Sequence, residues 1–396
     1  MKSRELHVPD RYAIAITSMA RVGEKIYLGL TARTRLLAVY DIAADAIRME
    51  EEMFPWVAGR GYCSKIHNAM GALPDGSLLL GEGNHFTWDG IPVTVNYFNR
   101  ELPESMLKRK REQGFPDVKY TDFCLENLDG WDRTRTDPGG AILRYTPDKG
   151  TAEVVGRLPP FLYVQSMIVD GARGRAFGHT IPDNHFFCVD VTSRKVRDFG
   201  HISEYAHHNM VVTPEGVCYG GWIDRADGSL HLLKFDPEEN RLCYLSTVVL
   251  QDPGAKVAGN LGLDQWIVTR KGEIYMGTVA GALLFRFHWR EERFELLGKC
   301  AEGGRVTSMD EDENGIIWIG SGYPNMHLVR FDPAAAGNDR FEDFGPVNTT
   351  YPRCYFHASC YHAGKLYLGE TDGFSPSLHI IDLHGLAGKG AIHARD

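Results

Sequence analysis

One pattern recurs along this chain and limits what it can fold into. It is an apolar strand, a turn built from Asp, Gly, Asn or Lys, and a second strand that ends near a glycine. Seven copies are present: "IAITSMARVGEKIYLGLT", "IHNAMGALPDGSLLLGEG", "YVQSMIVDGARGRAFGHT", "HNMVVTPEGVCYGGW", "LGLDQWIVTRKGEIYMGT", "VTSMDEDENGIIWIGSG" and "HASCYHAGKLYLGET". Their closing glycines are Gly29, Gly81, Gly178, Gly220, Gly277, Gly320 and Gly369. Each copy is followed by a second, weaker hairpin, such as "AILRYTPDKGTAEVV" or "LHLLKFDPEENRLCYL". Two hairpins make one four-stranded unit, and repeats of roughly 40–50 residues with four strands each are the signature of a propeller. The expected fold is all-β, a single seven-bladed β-propeller domain over residues 1–396.

The seventh unit runs out of chain after its third strand. The N-terminal stretch "SRELHV" can supply the missing outer strand, with Glu5 to Val8 pairing beside residues 377–382. Closing the ring in this way removes the exposed edge that a sheet protein must otherwise manage. One spacing departs from the rest: Gly81 to Gly178 is 97 residues, against 42 to 57 elsewhere. Residues 86–139 hold no strand–turn–strand of the repeated kind and are expected as one insertion between the second and third strands of blade 2. Within it "ESMLKRKREQGF" reads as a short helix, with Lys108 to Arg111 on a solvated face. In a blade of strands a to d, the start of a, the end of b and the b–c connection share one face. The insertion is therefore expected to wall that face, as long ordered insertions often do, and its removal to cost turnover and not folding.

The formal charge of −9 argues against nucleic acid and membrane surfaces as partners, because both want a basic footprint. The eight cysteines are scattered, without a C-x-x-C pair, and most sit in apolar runs, so buried free thiols are expected. The N-terminus lacks an apolar signal region, and cytoplasm is the expected location, with secretion the alternative where a leader has been trimmed.

Reading only the shared face gives a short set of residues. Blade 2 offers Lys65, His67 and Asn68, then Glu82, Asn84 and His85. Blade 3 offers Tyr163, Gln165, His179 and Asp183, and blade 4 Tyr205, His207, His208, Asn209, Trp222, Asp224 and Arg225. Blades 5 to 7 add Lys256, Asn260, Arg305, Arg353, Tyr355, His357, Glu370 and Asp372. A histidine that starts a strand beside a propeller channel can simply bond backbone groups of the next blade. Glu82 and Glu370 can do the same, and Trp222 can be a blade-packing residue instead of a sugar platform. Several imidazoles on one rim nonetheless suit two chemistries. Three neutral imidazoles can hold a divalent metal such as Mn, Ca or Zn, although no local motif of the H-E-x-x-H type is present. The other is β-elimination at a uronic acid. There the carboxylate is neutralised to acidify the neighbouring C–H, one His or Tyr removes the proton, and another donates to the leaving oxygen. A tyrosine base needs a cation beside it, and rim Arg and Lys would clamp the anion. Lys65, Tyr205, His207, His208, Trp222, Arg225, Arg305, Arg353 and His357 are the expected substrate contacts.

The stretch "KIHNAMGALPDGSLLLGEGNH" resembles the blade that carries paired histidines in seven-bladed propeller polysaccharide lyases, a group including ulvan lyases, rhamnose–glucuronate lyases and related propeller rhamnosidases. His67 and His85 match the paired histidines by position, and Tyr163 matches the catalytic tyrosine that begins the next blade. His179 stands where the family usually has an arginine, sixteen residues after that tyrosine. The resemblance implies a lyase acting on a uronate-containing oligosaccharide, with His85 and Tyr163 transferring protons and His67 and His179 orienting or neutralising the carboxylate. The alternatives are a metal-dependent lyase or a glycoside hydrolase such as a rhamnosidase, both using these histidines, and a propeller that only binds a ligand or partner.

Overall fold

A computed structural model describes residues 3–10, 13–31, 36–50, 65–83, 104–115, 139–206, 208–250, 262–322, 325–350, 354–371 and 376–386. The described strands form seven antiparallel four-stranded sheets, the blades of a β-propeller. Blade 1 is built from Ala15–Val22, Lys25–Thr31, Leu37–Asp41 and Ala46–Met49, and blades 2 to 6 repeat the order. Blade 7 takes its fourth strand from the N-terminus. Arg4–His7 runs antiparallel to Ser377–Asp382, with Arg4 opposite Ile380 and His7 opposite Ser377. The closure lies where the sequence places it.

The repeated glycine has a packing cause. A Cβ at Gly81 would come 2.7 Å from Val164, and one at Gly277 would come 2.3 Å from Val306. Gly29 stands in the same way against Ile66, Gly221 against Leu263 and Gly369 against Ile16. In each pair the glycine belongs to strand b of one blade and the aliphatic residue to the first strand of the next, or, for Ile66, to the segment leading into it. Blades can approach this closely only where no side chain intervenes, and each buried aliphatic residue contributes ~1.5–3 kcal/mol. In blade 4 the residue that meets its neighbour is Gly221, one position beyond the glycine singled out by the repeat.

Immediately after that aliphatic residue, the first strand carries a register shift. It falls between Ile16 and Ser18, Val164 and Ser166, Leu263 and Gln265, Val306 and Ser308, and Phe356 and Ala358. Thr17, Gln165, Asp264, Thr307 and His357 are thus the extra residues of five equivalent β-bulges. A bulge bends its strand and re-aims one side chain. Here that side chain turns across the inter-blade gap. Thr17 donates to the Ile66 carbonyl at 2.8 Å, and Thr307 donates to the carbonyl of Phe356. His67 and His208 occupy the matching places in blades 2 and 4, one residue after Ile66 and His207, ahead of the short first strands Met70–Ala72 and Val211–Val212.

The insertion falls between strand b (Leu78–Gly81) and strand c (Ala141–Thr146) of blade 2, as expected. Its described part contains the helix Glu104–Glu112, with Glu104 in the first turn and Arg109, Lys110 and Arg111 in the last, a charge order that suits the helix dipole. The expectation of a solvated charged face is overturned at two of four positions. Lys108 and Arg111 are exposed, but Arg109 and Lys110 are almost wholly buried. The helix docks on the closure of the ring. Arg109 forks onto Glu370 of blade 7, with Nη2 reaching Oε2 at 2.5 Å, and also reaches Ser377 at 3.2 Å. Lys110 donates to the Ala13 carbonyl at 3.0 Å. Charges that read as solvent-facing in sequence are here the anchor, because blade 7 supplies a buried carboxylate to receive them.

The six described cysteines are free, with Cys218, Cys300, Cys354 and Cys360 buried and Cys188 and Cys243 half-buried; Cys63 and Cys124 lie outside the described residues. No described helix is long and apolar enough to cross a membrane.

Candidate site at the mouth of the channel

The five bulges and the two matching positions of blades 2 and 4 supply seven equivalent residues, Thr17, His67, Gln165, His208, Asp264, Thr307 and His357, one from each blade. Three of them are imidazoles that meet across the axis. The ring centroids of His67 and His357 are 5.6 Å apart, those of His67 and His208 6.3 Å, and those of His208 and His357 6.2 Å. These histidines come from blades 2, 4 and 7 and meet at the centre of the ring. His357 also lines a channel cavity of about 140 Å³ together with Asn68, Asn209 and Gln265.

Two of the three imidazoles, His67 and His208, are held from behind. His67 Nδ1 lies 2.9 Å from the Gln165 carbonyl, which can only accept, so Nδ1 carries the proton and Nε2 the lone pair. Burial, reinforced by Lys65, pushes the His67 imidazole well below its ordinary value, so it is neutral near pH 7. Burial and then the Arg305 charge do the same to His208. A chain of polar groups connects the two. Lys65 donates to Gln165 Oε1, and Gln165 Nε2 donates to the Tyr205 hydroxyl at 3.2 Å. That hydroxyl lies 3.0 Å from His208 Nδ1, with either group able to donate. Burial raises the Tyr205 phenol above its usual value, so it acts as a neutral hydroxyl near pH 7.

One step outward on the first strands stand Lys65, Tyr163, Arg305 and Tyr355. Lys65 is fully buried against a neutral amide, and desolvation pushes its amine well below the usual lysine range. Tyr163 is buried at the start of its strand, opposite Ile181 and packed on Gly140. Arg305 differs from expectation. It is not an open anion clamp but forks onto Asp264, with both contacts at 2.7 Å. Burial disfavours the cation, yet Asp264 holds Arg305 above its ordinary value. Asp264 was not singled out from sequence, although it occupies the same place after Leu263 that His67 occupies after Ile66.

Other expected contacts stand elsewhere. Trp222 stacks on His231 at 5.0 Å, meets Tyr244 edge-on at 5.2 Å and donates to the Leu245 carbonyl at 3.3 Å, so it packs its own blade. Arg225 is exposed and paired with Glu204 at 2.9 Å. His179 is fully buried, its Nδ1 2.9 Å from Asn184 Oδ1 and its ring 5.4 Å from Tyr205. Its ring thus packs beside Tyr205. Glu82 accepts from the Ala141 amide at 2.8 Å, a backbone role within its own blade, whereas Glu370 receives Arg109 and His379. Asn84, His85, His207, Lys256, Asn260, Arg353 and Asp372 lie outside the described residues.

Solved structures resemble this one over most of its length at low identity. Virginiamycin B lyase from Staphylococcus aureus, solved with quinupristin, is 9% identical over 96% of this chain and 99% of that one, with a TM-score of 0.56. Hydrazine synthase of Kuenenia stuttgartiensis is 9% identical over 95% and 97% of the two chains, at a TM-score of 0.55. The Dos1 propeller is 10% identical over 95% and 93%, at a TM-score of 0.51. These similarities show the propeller fold alone, shared by proteins of varied function. No family model and no curated protein matches the sequence.

Proposed function

We propose that the channel mouth is the active site of a lyase that cleaves a uronate-containing oligosaccharide by β-elimination. The observation that carries this reading is the convergence of three imidazoles and a buried tyrosine–glutamine–lysine chain at one end of the channel. Polar groups held neutral in a desolvated pocket are what proton transfer near neutrality requires. Tyr163 and His85 carry the proton transfers, the tyrosine at the rim and the histidine at the exit of strand b in blade 2. His67 faces the substrate, with its tautomer fixed by the Gln165 carbonyl. Tyr205 and His208 are further polar contacts at the mouth.

The test is a screen of uronate glycans at 235 nm, where an unsaturated uronate absorbs. Tyr163→Phe should lower kcat by ~10²–10⁴-fold, the usual contribution of a positioned acid or base, while the melting temperature stays near that of the parent protein. Release of a reducing sugar without absorbance would make the enzyme a hydrolase. Binding without turnover by either assay would make the protein a ligand-binding propeller.

A further inference from the structure

Several seams between blades are closed by a pair of aromatic rings, and one seam departs from that pattern. The residue two before the packing glycine of strand b meets a strand-c residue of the next blade. Tyr27 meets Tyr145 at 6.0 Å, Tyr219 meets Phe287 at 5.0 Å, Tyr275 meets Phe331 at 5.5 Å, and Tyr367 meets Tyr40 of blade 1 at 5.6 Å. Between blades 6 and 7 the strand-b member is Trp318, two before Gly320. The matching strand-c position of blade 7 holds Ile381, which stands opposite Leu366 as Phe331 stands opposite Ile317. Trp318 and Ile381 share one apolar cluster, but the second ring is absent from that position. A cavity of about 450 Å³ opens beside Trp318, a volume in the range of small-molecule sites. Its walls include the a–b turns of blades 6 and 7, together with Leu383 and Leu386 beyond the end of strand c in blade 7. Those turns lie on the face opposite the channel mouth, where the first strands begin.

The lining selects the chemistry of a ligand. Trp318, Phe344 and Tyr361 bring three aromatic side chains to the cavity, with Trp318 and Phe344 tilted by 34° at 5.8 Å. Part of the polar wall is already committed. Asp312 Oδ2 accepts the Trp318 indole N–H at 3.0 Å, and its Oδ1 accepts the Asn314 and Ile316 amides. Arg330 donates to Asp332 at 3.0 Å. Among the described residues of the wall, the acidic and basic side chains left without an ion pair or hydrogen bond include the half-buried Glu342 and the exposed Glu313, both carboxylates. An acidic sugar would meet like charge here, so the cavity does not repeat the site at the channel mouth. A cation is favoured twice, by a carboxylate to pair with and by aromatic faces to lie against. We propose that this cavity binds a small aromatic amine, with its ring among Trp318, Phe344 and Tyr361 and its ammonium on Glu342. The ligand's ring supplies at this seam the kind of contact that strand c supplies at the four seams above. The site lies across the molecule from the channel mouth, and the proposal does not rest on the lyase reading.

The full-length protein is titrated by calorimetry with three probes that share one ring. Phenethylamine carries the charge, phenethyl alcohol removes it, and hydrocinnamate reverses it. The expected result is one amine per chain, bound ~10–100-fold more tightly than the alcohol, which is the scale of a hydrogen bond to a charged group. Hydrocinnamate should bind more weakly than the alcohol. Glu342→Gln should weaken the amine by the same ~10–100-fold and leave the alcohol unchanged. Phe344→Ala should weaken amine and alcohol alike by ~3–10-fold, the scale of one aromatic contact. Both replaced side chains are half-buried and outside the fully buried core, and circular dichroism checks that each variant is folded. No saturable binding of the amine by the parent protein overturns the proposal. Equal affinities for amine and alcohol overturn it as well. So does an amine affinity that either substitution leaves unchanged, because the ligand would then sit elsewhere.

Discussion

Arg109 is the residue whose replacement should reveal what the insertion does for the ring. Its guanidinium is buried on Glu370, a carboxylate that is itself wholly buried and also receives His379 at 3.1 Å. Arg109→Met takes from that carboxylate its forked cation, and Glu370→Gln leaves the buried guanidinium with the longer Glu5 contact at 3.7 Å in place of its close counter-charge. Breaking a buried pair from one side costs ~3–5 kcal/mol. For 396 residues, an unfolding entropy of ~2.1 cal/mol/K per residue converts this to a melting-temperature drop of about 4–6 °C when the ring melts as one unit. The double variant should lose less than the two single losses combined, since no orphaned charge remains. The acid limb has a defined sign. Burial pushes the Glu370 carboxyl up, but His379 and Arg109 hold it below its ordinary value. Its contribution is therefore present above the unfolded value of ~4.3 and is lost as pH falls through the folded one. Differential scanning calorimetry of the four proteins, at pH 7 and in acid, measures all of this. Single variants melting within about 1 °C of the parent, or strictly additive losses, would refute the reasoning. The same contact changes what deletion of residues 86–139 should do. It removes Arg109 and strands Glu370, so the deletion should cost stability as well as turnover, and pairing it with Glu370→Gln should restore part of the melting temperature.

Three further outcomes follow from the packing. Gly277→Ala drives a Cβ to 2.3 Å from Val306 and should cost ~1–3 kcal/mol by chemical denaturation, much of it recovered by adding Val306→Ala. Burial raises the Asp310 carboxyl to about 6 although Ser359 donates to it. Its folded value exceeds its unfolded one, so stability falls as pH rises from ~4 to 6, and Asp310→Asn should flatten that slope and add ~1–3 kcal/mol at pH 7 in urea titrations. Trp222→Phe should lower the melting temperature by loss of its stacking on His231, yet leave the affinity for any oligosaccharide unchanged in calorimetry; a weakened affinity would return Trp222 to the site.

The ring was legible because its units repeat. The glycine of strand b and the aliphatic residue of the next blade are two halves of one contact, and both are spelled locally. The orphan strand at Arg4–His7 followed from counting. The site was legible only in part, for a reason of the same kind. His67, His208 and His357 could be placed on one face from their strand positions, but what each touches depends on partners remote in sequence. Arg305 read as a clamp because Asp264, forty-one residues upstream, was not in view. Arg109 read as solvated because Glu370 lies 261 residues away. Charge in a sequence announces its sign but not its partner. Aligning the hairpins on the residue after the aliphatic anchor would have found Asp264, Thr17 and Thr307 beside the histidines.

That alignment also bears on how the histidines should be understood. A histidine that bonds the next blade's backbone and a histidine that meets a ligand were opposed readings from sequence, but in the bulge they are two ends of one ring. The Gln165 carbonyl takes the Nδ1 proton of His67 and thereby makes Nε2 the basic nitrogen. Threonine at the same position, as in blades 1 and 6, satisfies the inter-blade carbonyl just as well with a hydroxyl and offers nothing further to the axis. The inter-blade bond therefore explains why some donor is present at the bulge, but not why it is an imidazole. That choice is made at three of seven blades, and those three rings meet across the axis. At His67 the backbone bond uses Nδ1, so what selects histidine there acts on Nε2, which is why the channel mouth, and not the inter-blade seam, is where function should be sought.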